Sequence, residues 1–206
     1  AKQVNSSNLA VLAVQELDRG STAKKHDYAN ILHDALGKEW EMIKPKTAWN
    51  ENYIFYRPSV VTFKNQPNDL IIPSSEGGRH GTRAEFSKGG KNIRIISTHL
   101  VSGADNGEAR EAQGWYLSDY INSNTIVMGD LNQKDLPAAI EKTHKTARDQ
   151  KTDSTTNKWG SYRKWGQKTA SKSVTSYLDH IAPHDKTLVK GFNQVGIDGK
   201  TGNLTQ

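Results

Sequence analysis

"IVMGDLNQKD" spans residues 126–135. A short apolar run stops abruptly at Gly129, and an Asp and an Asn follow two residues apart. A turn would explain that ending. So would a metal ion or a phosphate. Apolar runs of this length bounded by Gly read as buried strands, and a buried strand holds its tip rigid. In extended chain, residues two apart point to the same side. Asp130 and Asn132 are therefore expected to face one ligand.

Three further polar residues share this context. Glu16 follows "LAVLAVQ" (9–15), His99 stands in "IRIISTHL" (93–100), and Asp179 stands in "SYLDHI" (176–181). Taken singly, Glu16 and Asp179 read as turn caps and His99 as a core histidine. Taken together they place acid, amide and imidazole groups at the ends of several buried strands, where α/β folds put their ligands. Carboxylate and amide oxygens suit magnesium, which keeps several waters. Such an ion polarises a phosphoryl oxygen, an Asp can handle the attacking water, and a His can donate to developing charge.

Composition narrows the class. The chain has 206 residues, enough for one domain over 1–206. It has no cysteine, which excludes disulfides, thiolate metal sites and cysteine nucleophiles. No apolar run approaches a membrane span. Zero cysteine and a start at Ala1 rather than Met are compatible with secretion and assign no location. The net charge is +6, which suits an anionic partner such as nucleic acid. Between Arg148 and Ser176 seven basic residues face two acidic ones, a net of +5, with Trp159, Tyr162 and Trp165 interleaved. Phosphates reward those cations, and bases can stack on those rings.

The rest of the chain alternates short strands with helices. Residues 9–17 read as a strand buried on both faces. Residues 26–37 read as a helix with Tyr28, Ile31, Leu32, Ala35 and Leu36 on one face. "EWEMIK" (39–44), "NYIFYRP" (52–58) and "VVTF" (60–63) read as strands. Residues 65–82 are rich in Pro, Gly, Ser and Asn and read as a loop. "RAEF" (83–86) and "KNIRIISTHL" (91–100) pair through Lys88-Gly89-Gly90. A helix over 108–121 aligns Ala109, Ala112, Tyr116, Leu117, Tyr120 and Ile121. "NTIVMGD" (124–130) is a strand, and residues 135–147 form a helix capped by Asp135. Residues 148–172 read as loop-rich and 173–183 as a late strand. The order predicts an α/β fold with a two-layered mixed β-sheet sandwich flanked by helices.

"AVQELDR" (13–19), "IISTHL" (95–100), the Arg110–Gln113–Leu117 spacing, "IVMGDLN" (126–132) and "YLDHI" (177–181) stand in the order seen in the endonuclease/exonuclease/phosphatase superfamily. The chain resembles its deoxyribonuclease I-like members over residues 5–182. The resemblance implies a magnesium-dependent phosphodiesterase, with manganese or calcium as substitutes. It makes Glu16 and Asp179 metal ligands. His99, Asp130, Asn132 and Asp179 become catalytic residues. Arg79, Arg83, Arg110 and Asn132 become substrate contacts. Residues 1–8 resemble the tail of a helix that follows the family's first, Asn-bearing strand, and no Ser-Asp-His motif follows Asp179. The first expectation is a piece of a full enzyme and the second a variant that has lost catalysis; His180 reads as structural, and neither it nor His184 takes the place of the missing catalytic His. A nuclease acting as a monomer is the first expectation. A sphingomyelinase-like lipid phosphodiesterase, or a non-catalytic or toxin-subunit binding module on the same fold, are the alternatives.

Overall fold

A computed structural model describes residues 9–17, 27–47, 50–65, 68–73, 79–145 and 179–184. Strands β1 (Val11–Val14), β2 (Glu41–Ile43) and β3 (Tyr53–Tyr56) form an antiparallel sheet with β3 in the centre. The larger sheet runs in the order β4 (Thr62–Phe63), β6 (Arg79–Lys88), β7 (Lys91–His99), β8 (Thr125–Asp130), β9 (Asp179–Pro183), and β5 (Asn68–Ile72) also pairs with β6. Its one parallel pair is β7–β8. Such a pair needs a crossover, which helix α2 (Gly107–Ser118) supplies between the two strands. Helices α1 (Tyr28–Leu36) and α3 (Ala138–Glu141) complete the described elements.

Alternation along the strands builds the layers. Ile43, Ile54 and Tyr56 of the small sheet meet Ala84, Phe86 and Ile95 of the large one. The opposite face of the large sheet presents Ile72, Ile96, Val127 and Ala182 to Leu117 of α2 and Ile140 of α3. Phe55, next to Ile54 and so on the other face of its strand, packs with Trp40 and with Leu36 of α1. The result is the mixed-sheet sandwich flanked by helices that the sequence predicts. The β6–β7 hairpin turns on Gly89 and Gly90, both with positive φ (56° and 77°). Positive φ at both positions is what a type I′ two-residue hairpin loop requires.

The details differ in four places. Residues 65–82 hold all of β5 and the start of β6. Leu70 and Ile72 are buried against the helices, while Ile71 is exposed on this edge strand. In α1 the buried residues are Ala29 and Leu36, and Tyr28 and Ile31 stay exposed. In α2 the buried residues are Arg110, Gln113, Gly114 and Leu117, while Ala112 is exposed. This stripe is polar because Arg110 and Gln113 bind loop backbone, and Gly114 is where Pro137 packs so tightly that a Cβ would lie 2.2 Å away. Helix α3 is one turn long and begins after Pro137, not Asp135. The basic segment 148–176 and the first part of the late strand lie outside the described residues. Among those described, no helix is long and apolar enough to cross a membrane.

Candidate active site

The parallel pairing of β7 and β8 brings their ends together. His99 lies opposite Asp130, and across β8 Asp130 lies opposite Asp179. Three residues from distant parts of the sequence thus stand at consecutive positions on one sheet edge. The small sheet delivers a fourth, because Glu16 follows β1 and reaches over that edge. The His99 ring lies between the two carboxylates, with Nδ1 3.8 Å from Glu16 Oε1 and Nε2 3.8 Å from Asp130 Oδ2. Neither separation is a direct hydrogen bond. Each leaves scope for a water or a phosphoryl oxygen to bridge. His99 is nearly buried, Asp130 is partly open and the Glu16 side chain is half exposed. Just behind Glu16, Gln15 Nε2 donates to the fully buried Ser97 Oγ at 3.0 Å and ties the two sheets together.

The tip of β8 is shaped by two backbone features. Gly129 has φ +149°, and a Cβ there would sit 1.8 Å from the Thr98 carbonyl oxygen. Asn132 has φ +53°, a region Asn tolerates because its side chain bonds locally. The strand therefore ends at Asp130, and the extended-chain argument for Asp130 and Asn132 does not hold. A turn replaces it. The Asn132 N–H donates to Asp130 Oδ1 at 2.8 Å, and Asn132 Nδ2 donates to the Leu100 carbonyl at 2.9 Å. One Asp130 oxygen is held by its own turn and the other is aimed at His99.

Two of the three arginines are corrected. Arg110 is buried at 6% exposure. Its Nη1 donates to the carbonyls of Val101 (3.2 Å) and Gly103 (2.7 Å), and its Nε donates to Gln133 Oε1 (3.1 Å). Gln113 Oε1 accepts the Val101 N–H, and the Gln133 carbonyl bonds His180 Nε2 at 2.8 Å. The Arg–Gln spacing is thus a clamp that fastens the loops after β7 and β8 to α2. Arg110→Ala leaves three acceptors without their guanidinium partner, the Val101 carbonyl buried and the other two part-buried. The expected loss is about 3 kcal/mol, a fall in Tm of roughly 6–12 °C for a chain this size. Arg110→Lys recovers little of it, since Lys lacks the planar fork. Thermal melts of both variants test this. Arg83 stacks on the Tyr120 ring at 5.6 Å. It pairs with Ile96, three residues or about 10 Å short of His99 along the strand. It faces the helix layer, not the site. Arg79 opens β6 at the site edge, two residues before Gly81, which lies opposite Thr98.

A cavity of about 330 Å³ opens at the opposite ends of β7 and β8, lined by Lys91, Asn92, Asn124 and their neighbours. It carries a single charged side chain and lies away from the Glu16–His99–Asp130 cluster. Sequence reasoning also passed over Asn50, Asn52 and His80, which crowd the site edge. The one available signal was the Asn-x-Asn spacing just before β3.

Comparison with solved structures identifies the architecture. A truncated TDP2 from Caenorhabditis elegans superposes with a TM-score of 0.66 at 19% identity, over 98% of this chain and 84% of that one. An endonuclease/exonuclease/phosphatase protein from Bacteroides vulgatus gives 0.64 at 19% identity, over 88% and 75%. A mannosyl-6-phosphatase from Bacteroides thetaiotaomicron gives 0.63 at 13% identity, over 90% and 74%. The chain has the deoxyribonuclease I-like fold, in agreement with the resemblance read from its motifs. At these identities the likeness is one of fold. No protein-family model matches the chain, and no curated protein matches it either.

Proposed function

We propose that this chain is a divalent-metal-dependent phosphodiesterase that cleaves nucleic acid. One observation carries the reading: an imidazole set between two carboxylates, one from each sheet, on an open strand edge. One solved structure of this fold is a mannosyl-6-phosphatase, a name that supports phosphoester hydrolysis in general and not the diester in particular. The net charge of +6 favours a polyanionic substrate over a small phosphomonoester.

Among the described residues no three acidic or imidazole side chains close around a single ion. Magnesium does not need such a cage, because one or two carboxylates and the substrate's own phosphate oxygens hold it. The half-exposed Glu16 fits that role, and the position of Asp179 opposite Asp130 adds a second acid at the same edge. When bound, the ion polarises the phosphoryl oxygen and steadies the leaving oxygen.

The chain's own residues divide the remaining work. Asp130 Oδ1 is held by the Asn132 N–H, so Oδ2 is the oxygen that accepts a proton from the attacking water. His99 donates to a phosphoryl oxygen on which charge develops. Asn132 keeps one amide hydrogen on Leu100 and has a second for the phosphate. The test is nicking of supercoiled plasmid with magnesium or with chelator. Nicking is expected to vanish in chelator, and Glu16→Gln is expected to raise the magnesium concentration at half-maximal rate by tenfold or so. If the unaltered chain turns over 4-nitrophenyl phosphate but no diester, the substrate is a phosphomonoester and the nuclease reading fails.

A further inference from the structure

One imidazole at the site edge has no part in the scheme above. Thr82 of β6 lies opposite Ser97 of β7. Two residues nearer the strand ends, and so on the same face, come His80 of β6 and His99 of β7. That face looks toward the small sheet and Glu16. Two asparagines from the segment before β3, each 3% exposed, hold the β6 backbone there. Asn52 Nδ2 donates to the His80 carbonyl at 2.8 Å. Asn50 Nδ2 donates to the Gly81 carbonyl at 3.0 Å and to Thr82 Oγ1 at 2.9 Å. Asn50 Oδ1 in turn accepts both the backbone N–H and the side-chain amide of Asn52.

One nitrogen of the His80 ring is left without a partner: Nδ1 is buried and has no hydrogen bond among the described residues. The carboxylate of Asp69 is near, but both its oxygens accept backbone N–H groups, from Lys46 (3.0 Å) and Thr47 (2.6 Å). Rigid support for a backbone whose side chain has nothing to bind is the pattern of a preorganised ligand contact. A buried polar atom without a partner calls for an explanation, and the place of His80 beside His99 on the site face favours a ligand contact.

We infer that His80 is a second imidazole of the substrate site, which donates a ring N–H to a phosphoryl oxygen of the substrate beside His99. The inference rests on the phosphodiesterase reading and extends it to a residue outside the strand-end motifs. Burial pushes the His80 pKa below its ordinary value, against the pull of Asp69. A neutral imidazole still carries one N–H, so the ring can donate without adding charge.

Two measurements on the full chain test it. The first is magnesium-dependent hydrolysis of bis(4-nitrophenyl) phosphate. His80→Ala is expected to raise KM about tenfold, and His80→Asn, which keeps a side-chain N–H, recovers part of that. An unchanged kcat/KM in His80→Ala, with Asp130→Asn inactive, overturns the role of His80 and leaves the phosphodiesterase intact. The second is titration of the unaltered chain with inorganic phosphate, followed by the histidine ring signals in NMR. The His80 signal, assigned by its loss in His80→Asn, is expected to move saturably. If it stays still, the inference falls, whether or not His99 moves. Absence of all turnover by the unaltered chain sinks the phosphodiesterase reading, and the titration then decides His80 alone.

Discussion

Asp130→Asn is expected to cut diester turnover by about a thousandfold while leaving the fold intact, in the range a positioned acid–base group contributes. Asn keeps an Oδ1 that can accept the Asn132 N–H, so the turn after β8 survives. It loses the carboxylate oxygen aimed at His99. Asp130→Ala removes both functions. It should be equally inactive and also less stable, by the 1–2 kcal/mol such a local bond contributes. Steady-state rates and thermal melts on the two variants separate the roles. Turnover above a tenth of the unaltered rate in Asp130→Asn would remove Asp130 from the chemistry.

Gly129→Ala should be the most damaging single methyl in the described structure. Two penalties add. The backbone stands at φ +149°, where a side chain costs about 1–3 kcal/mol. The added Cβ would also lie 1.8 Å from the Thr98 carbonyl oxygen. That oxygen belongs to the neighbouring strand, and backbone cannot swing away as the end of a side chain can. The β7–β8 pairing must open at the level of His99 and Asp130. A loss of about 4 kcal/mol or more is expected, a large part of the 5–15 kcal/mol that holds a typical domain together. Equilibrium denaturation measures it. By contrast, Gly90→Asn should be tolerated, because nothing lies within 4 Å of that position and Asn accepts positive φ.

The candidate site was legible in the sequence where its residues terminate buried strands. "IVMGD" and "IRIISTH" each combine an apolar run with a polar last residue, and this is local information. The pairing of those ends follows from strand direction, which the helix between them dictates. Arg110 was misread because its role is set by what lies across space. A buried guanidinium on loop carbonyls and one waiting for phosphate look alike in sequence. The stripe of α2 was misread for a related reason: an amphipathic count assumes that buried means apolar, and Arg110 and Gln113 are buried because loop backbone needs them. Strand β5 was lost in a stretch whose Pro, Gly and Ser content outweighed Leu70, Ile71 and Ile72. His80 carried no local signal at all, since its surroundings come from the segment before β3, from β5 and from β7.

Glu16 hangs from one sheet, while His99 and Asp130 hang from the other. Across the site edge the two halves meet through Gln15 and Ser97. A cluster divided in this way has no meaning in either half of the fold alone. If the three short strands of the small sheet loosen before the longer ladder of β6, β7 and β8 does, the cluster comes apart while most of the secondary structure persists. The cluster thus acts as a gauge of sheet docking.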